Sequence, residues 1–258
     1  MKTEGYTIKE LKNELKKMEV TPEVINELAR DSRKGVTKLA RKYQKKIAQK
    51  KKIRARWFRM RKKELSLWDK EIFPVAGLDE AGRGPLAGPV VASAVIFTPE
   101  TEIPGIDDSK KLSCDRREQL FSKIKNEAQA VGVGIIDNET IDQVNIQQAS
   151  FLAMKQALAD LSRQPEYILV DGSEEIPGVS IPQQPVIKGD SRVNAIAAAS
   201  IIAKVTRDRI LDMYDEKYPE YGFINHKGYG TEEHIAALKK LGPTPIHRYS
   251  YSVVKKNS

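Results

Sequence analysis

Residues 75–89 read Val75-Ala76-Gly77-Leu78-Asp79-Glu80-Ala81-Gly82-Arg83-Gly84-Pro85-Leu86-Ala87-Gly88-Pro89. An apolar run ends in two adjacent carboxylates, Asp79 and Glu80, and a turn follows with Arg83 held between Gly82 and Gly84. A second apolar run, Pro89 to Phe97, comes next. Neighbouring side chains of a strand point to opposite faces. Asp79 and Glu80 therefore share a site only if the strand ends or bends between them, and the glycines supply the permissive backbone for that. Pro85 disfavours a helical Gly84. Glycines also let backbone N–H groups approach a phosphate, and Arg83 can neutralise it. Two hard oxygen ligands side by side suit Mg²⁺ or Mn²⁺ rather than zinc. Taken alone, an Asp-Glu pair is most often a cap next to a solvated side chain, so the surrounding pattern has to decide.

Outward from this stretch, strands are expected over residues 74–80, 89–97, 130–137, 166–171 and 185–188. Residues 99–108 form a loop rich in turn formers. Ser113 or Asp115 caps a helix reaching about Ala128. Thr140 and Gln143 suit a capping box, opening a helical region that runs to Leu161. Asp190 or Ser191 opens a long helix, rich in small residues from Ala195 to Ala203, ending near Tyr214. Thr231 caps a short helix from Glu232 to Leu241. Strands first, then alternating helices and strands, give an α/β fold with a mixed sheet and helices on its faces.

The first 70 residues differ in composition. They carry 23 Lys and Arg against 9 Asp and Glu, whereas the remainder is mildly acidic and the whole chain is +9. Ile8, Leu11, Leu15 and Met18 fall at helical spacing, with Thr7 and Glu10 as a capping box. Thr21-Pro22 starts a second helix, and residues 36–66 read as one or two more. Residues 1–70 are thus a basic helical extension, and residues 71–258 the main domain with a helical C-terminal part. Lys45 to Lys63 is dense in Lys and Arg with Trp57 and Phe58 interleaved. That pattern fits a solvated helix whose aromatics dock on the main domain, or an arm that binds nucleic acid. Both readings stay open.

A single cysteine, Cys114, excludes an internal disulfide and fits a reducing cytosol. The first residues lack the apolar core of a secretory signal, and no apolar run is long enough to span a bilayer. A cytoplasmic protein away from membranes is expected, working as a monomer without an obligate protein partner.

The stretch 75–89 resembles the first active-site motif of the type 2 ribonucleases H, bacterial ribonuclease HII in particular. The resemblance continues in order. Asp108-Ser109-Lys110-Lys111-Leu112-Ser113, Tyr167 to Gly172, Lys188-Gly189-Asp190, Ala198 to Asp208, Lys227-Gly228-Tyr229-Gly230-Thr231 and Gly242-Pro243-Thr244 are similar to its later blocks. The sister type, ribonuclease HIII, fits less well, because the Gly-Arg-Gly turn and Asp190 follow the HII pattern. The resemblance implies a ribonuclease H fold with a five-stranded sheet. It also implies metal-dependent hydrolysis of RNA in RNA/DNA hybrids and at single ribonucleotides within duplex DNA.

Asp79, Glu80 and Asp171 end expected strands, and Asp190 follows one, which is where sites in α/β sheets are assembled. Clustered carboxylates repel one another unless cations neutralise them. As the resemblance implies, these four acids are the catalytic and metal-binding set for two divalent ions, Mn²⁺ or Mg²⁺. Gly82, Arg83, Gly84 and Tyr229 would recognise the ribonucleotide junction. Lys110 holds a backbone phosphate or is simply solvated. Lys204 and Arg207 read as salt-bridge formers on the long helix. His226, His234 and His247 lack ligand spacing and read as surface or packing residues. A non-catalytic hybrid-binding protein is the competing class, and the intact acid set argues against it.

Overall fold

The computed structural model describes residue 3 and residues 5–257. It divides into two compact units, Met1–Arg56 and Trp57–Ser258. In the smaller unit lie α1 (Ile8–Lys17), α2 (Pro22–Arg30) and most of α3 (Lys34–Met60). The capping box is present: Glu10 N donates to Thr7 Oγ1 and Thr7 N donates to Glu10 Oε2. Pro22 stands in the first turn of α2. Leu11, Leu15, Val24, Ile25, Leu28 and Val36 bury their apolar stripes in a core of the unit's own.

The larger unit is built on a five-stranded sheet of order β3-β2-β1-β4-β5. The strands are β1 (Val75–Ala81), β2 (Val90–Ile96), β3 (Ala130–Ile136), β4 (Tyr167–Asp171) and β5 (Gln183–Val186). β1, β2 and β3 pair antiparallel, while β4 runs parallel to β1 and β5 parallel to β4. Every residue of β2 is buried. A strand covered on both faces reads as a continuous apolar run, which is why these segments are visible in the sequence.

The helices are α4 (Lys62–Trp68), α5 (Cys114–Glu127), α6 (Asn138–Val144), α7 (Ile146–Ala159), α8 (Asn194–Lys217), α9 (Phe223–His226), α10 (Glu232–Leu241) and α11 (Ser252–Lys255). Ala149, Ala153 and Ala157 of α7 pack on one sheet face with Ala76 and Leu78. The alanines of α8 and Leu120 and Ile124 of α5 pack on the other with Val95 and Phe97. Small residues bring α8 to the backbone of β1: a Cβ on Gly77 would lie 2.3 Å from Ala195 C. That close approach runs α8 past the end of β1, so its later side chains reach the acids. Among the described residues no helix is long and apolar enough to cross a membrane.

Several expected boundaries move. β5 is Gln183–Val186 instead of 185–188. Pro185 sits inside an edge strand, where a missing N–H is tolerated. Asp190 lies in a 3₁₀ turn, Gly189–Ser191, and the long helix opens only at Asn194 and runs to Lys217. The cap near Thr140 is Asp137, whose Oδ1 accepts from Thr140 N at 2.8 Å. Asn145, at φ 71°, then splits the helical region in two. The segment 57–70, placed in the extension on sequence grounds, packs with the larger unit. Trp57 is 2% exposed beside Phe97, whereas Phe58 is 45% exposed.

Candidate active site

The end of β1 explains how two neighbouring acids serve one cavity. The strand does not stop between them: Asp79 and Glu80 pair with Ser93 and Ala92 of β2, and β1 runs on to Ala81. On the other side the ladder to β4 ends at the pair Leu78 and Val170. Beyond that point the β1 edge is open, so side chains from both faces reach the same space. Asp79 lies with Ser200 and Arg207 of α8 around one cavity. Glu80 lines that cavity too, and also a smaller one of ≈ 170 Å³ against Phe151 and Met154 of α7. The expected strand end between the carboxylates is thus a one-sided loss of pairing.

The shared cavity measures ≈ 410 Å³. Asp79, Glu80, Asp171, Asp190, Gly82, Arg83, Gly84, Lys110 and Tyr229, the nine candidate site residues, all line it. Ser109, Ser200, Lys204 and Arg207 line it as well. Asp171 ends β4, and its Oδ1 accepts from Gly189 N at 2.6 Å, which ties it to the turn carrying Asp190. Asp79 is 6% exposed, and its Oδ1 accepts from Glu80 N at 2.7 Å. Ser109 Oγ and Ser200 Oγ are hydrogen-bonded at 3.0 Å, joining the Asp108–Leu112 turn to α8.

Burial, and then the charges of Glu80 and Asp171, push the Asp79 carboxyl well above its ordinary range. Burial raises Glu80 against the pull of Arg83, whose Nη1 lies 3.3 Å from Glu80 Oε1. Asp190 is raised by burial and by Asp108 and Asp171, with Lys110 and Lys111 opposing. Carboxylates gathered in this way call for cations. Among the described residues no group of three or more His, Cys, Asp and Glu is arranged to hold a metal ion. The acids ring the cavity instead of closing on one point. The donor set is nonetheless all hard oxygen, and its mutual repulsion is what a bound divalent ion relieves, so the residues fit Mg²⁺ or Mn²⁺.

The Gly-Arg-Gly turn is held from behind. Gly82 has φ +100°, and a Cβ there would sit 2.2 Å from Arg207 Nε. Arg207, 1% exposed, donates to Pro89 O, Ala87 O and Lys227 O. Arg248, fully buried, donates to Gly82 O, Arg83 O, Gly88 O and Pro89 O. The carbonyls of Gly82 and Arg83 are thereby engaged on the protein side. Tyr229 is 43% exposed with its ring against Gly84, where a Cβ would be 3.6 Å from Tyr229 Cε1. Lys204 does pair with Asp208, at 2.7 Å, as expected. Arg207 binds carbonyls instead of an acid. The sequence marks neither Ser200 nor Arg248, since nothing local distinguishes a serine in a small-residue helix or an arginine about 165 positions from its partner.

The ribonuclease HII family model matches residues 76–254, and the model of the ribonuclease HII N-terminal domain matches residues 7–68. The chain is 50% identical over 247 residues to ribonuclease HII of Clostridioides difficile (strain 630), covering 95% of this chain and 96% of that one. It is 49% identical over 257 residues to ribonuclease HII of Bacillus licheniformis, with 99% of each covered. Ribonuclease H2 from Pyrococcus horikoshii OT3 superposes with a TM-score of 0.60 at 29% identity, over 72% of this chain and 97% of that one. The structure of the PCNA:RNase HII complex from Archaeoglobus fulgidus gives 0.56 at 27% identity, over 70% and 96%. Bst-RNase HIII in complex with Mn²⁺ shares the fold at 0.53 and 18% identity, over 72% and 69%. On these matches, and on the sheet and cavity they coincide with, the chain belongs to the ribonuclease HII family and is an enzyme of that activity.

Proposed function

We propose that this chain hydrolyses the RNA strand of RNA/DNA hybrids and incises 5′ of single ribonucleotides embedded in duplex DNA, leaving 5′-phosphate and 3′-hydroxyl ends. The observation that carries this is the meeting of four carboxylates with the Gly82-Arg83-Gly84 turn and Tyr229 around one cavity. Asp79, Glu80, Asp171 and Asp190 would hold two divalent ions, Mn²⁺ or Mg²⁺. When bound, such a pair supplies Lewis acidity to the attacking water and to the departing 3′-oxygen. Arg83 and Lys110 neutralise the phosphate on the open side of the cavity. The turn, fixed through its carbonyls, meets the 2′-hydroxyl with its N–H groups, the contact that separates RNA from DNA. The Tyr229 ring offers a flat face to the sugar that follows. The enzyme acts as a monomer in the cytoplasm and removes misincorporated ribonucleotides and RNA primers.

The decisive experiment is one gel: a labelled duplex with a single ribonucleotide, incubated with Mn²⁺, Mg²⁺ or chelator. Incision on the 5′ side with metal and none with chelator is the expected result. Binding without incision under every condition would leave the hybrid-binding alternative.

Tyr229→Ala is expected to lower kcat/KM on the single-ribonucleotide duplex about tenfold more than on a uniform hybrid. Equal losses on both substrates would remove Tyr229 from junction recognition. The basic extension is proposed as an auxiliary nucleic-acid-binding arm. Deleting residues 1–56, at the division between the units, should make the slope of log affinity against log salt shallower by about 2–4. An unchanged slope leaves the extension a purely structural role.

A further inference from the structure

The chain's three histidines, His226, His234 and His247, take no part in the chemistry above, and all are buried. His226 and His234 stack at 4.5 Å, and His234 and His247 lie 5.1 Å apart. They sit among Tyr221, Phe223, Leu238 and Ile246, an otherwise apolar cluster. Apolar side chains would fill that space without the cost of burying ring nitrogens. What histidines add is direction, and the hydrogen bonds fix it.

A backbone carbonyl only accepts and a backbone N–H only donates. Gly228 N–H donates to His226 Nδ1 at 3.2 Å, so His226 carries its proton on Nε2 and donates it to Tyr221 O at 2.8 Å. His247 Nδ1 accepts from Thr244 N–H at 2.9 Å and from the Thr244 hydroxyl at 2.8 Å, both shorter than the 3.3 Å to Thr244 O, so its proton is on Nε2. His247 Nε2 donates across 2.9 Å to His234 Nε2. His234 therefore carries its proton on Nδ1, which faces Tyr229 O at 3.0 Å. A relay of one sense runs from Thr244 through His247 and His234 to the Tyr229 carbonyl. Burial lowers both His234 and His247 to about 4, so both are neutral near pH 7, as the relay requires.

The same loop is gripped at other points. Leu86 N donates to Gly228 O, Tyr229 N to His226 O, and His234 N to Thr231 Oγ1. Its backbone is held below while the half-exposed Tyr229 ring lies at the cavity beside Gly84, with Lys204 Nζ 6.0 Å from its centroid. We propose that His234, backed by His247 and His226, is a positioning residue that sets substrate specificity by holding the Tyr229 ring against the Gly82-Arg83-Gly84 turn. The proposal rests on Tyr229 recognising the ribonucleotide junction.

The test measures kcat and KM on a single-ribonucleotide duplex and on a uniform hybrid for Tyr229→Ala, His234→Phe, His234→Asn and the double variant Y229A/H234F. His234→Phe should lower kcat/KM on the single-ribonucleotide duplex about five- to tenfold more than on the hybrid. His234→Asn, whose amide nitrogen takes the place of Nδ1, should recover most of that selectivity. The double variant should be no less selective than Tyr229→Ala alone, because the two changes act through one ring. Equal losses on both substrates in His234→Phe, or wild-type selectivity in it while Tyr229→Ala discriminates, overturns the relay. If Tyr229→Ala loses activity equally on both substrates, it is the Tyr229 reading that fails. Should His234→Phe not fold, ¹⁵N-histidine NMR of the unaltered protein decides. The relay requires an Nδ1–H tautomer at His234 and Nε2–H at His226 and His247, and an Nε2–H His234 overturns it.

Discussion

Asp79→Asn is expected to lower incision at a single ribonucleotide by at least about a thousandfold while leaving duplex affinity within about threefold. The carboxylate is the most enclosed of the four acids and sits where β1, α8 and the Gly-Arg-Gly turn converge. Asn keeps the shape and removes the charge a divalent ion needs. The same change should leave the metal-free protein more stable, and the sign follows from the electrostatics. Burial, Glu80 and Asp171 hold the Asp79 carboxyl well above its ordinary range. The folded protein therefore keeps a proton that the unfolded chain has released, so this group's contribution falls as pH rises above the usual carboxylate range. In chelator at pH 8, Asp79→Asn should melt higher than the wild type. Mn²⁺ should raise the wild-type midpoint and move the variant's much less, because ligand binding stabilises only the form that holds it. Near-normal turnover in Asp79→Asn would reject the assignment. A lower metal-free midpoint would reject the electrostatic account.

The second large effect concerns stability and lies at Glu64. The residue before α8 is Val193, which offers no side-chain acceptor to the helix's first N–H groups. Glu64 of α4 supplies it from a distance, with Oε1 accepting from Ala195 N at 3.1 Å, while Asn194 Nδ2 donates to Trp57 O at 2.9 Å. Glu64 is 1% exposed, and burial raises its carboxyl to about 8. Truncation in Glu64→Ala strands a buried helix terminus and should cost about 2–4 kcal/mol. Glu64→Gln keeps a neutral acceptor and should be tolerated. The folded carboxyl titrates near 8 and the unfolded one at its ordinary value, so the stabilisation is complete at low pH and is lost as pH climbs towards 8. Unfolding free energies of the wild type from urea titrations should fall from pH 5 to pH 8, by up to about 1.4 kcal/mol per pH unit. Those of Glu64→Gln should fall less steeply. Parallel curves for the two proteins would sink this explanation.

Much of the sheet could be read from the chain because β1, β2 and β4 are buried on both faces and so appear as unbroken apolar runs. Asp79, Glu80 and Asp171 were legible for the same reason, standing where the apolar runs of β1 and β4 stop, whereas Asp190 lies in a 3₁₀ turn past β5. What escaped reading depends on partners far away. The one-sided end of the ladder at Leu78 is set by where β4 leaves it, not by any residue near Asp79. The start of α8 is marked by an acceptor on α4, about 130 positions earlier, so no local cap shows it. Trp57 and Phe58 are alike in sequence, and only the phase of the helix decides which is buried. The three histidines look unrelated by spacing because α9, α10 and the 244–248 loop bring them together through contacts up to 13 positions apart and through the fold around Phe223.

The tie between Arg248 and the carbonyls of Gly82 and Arg83 has a consequence for synthesis. During translation the two carboxylates of β1 emerge early, yet the partner of the Gly82 and Arg83 carbonyls comes about 165 positions later. A nascent chain thus carries the acids before the turn that we propose reads the sugar is tied down. Closing so long a loop is slow relative to local pairing, so the completed turn is expected only after the body around it has formed.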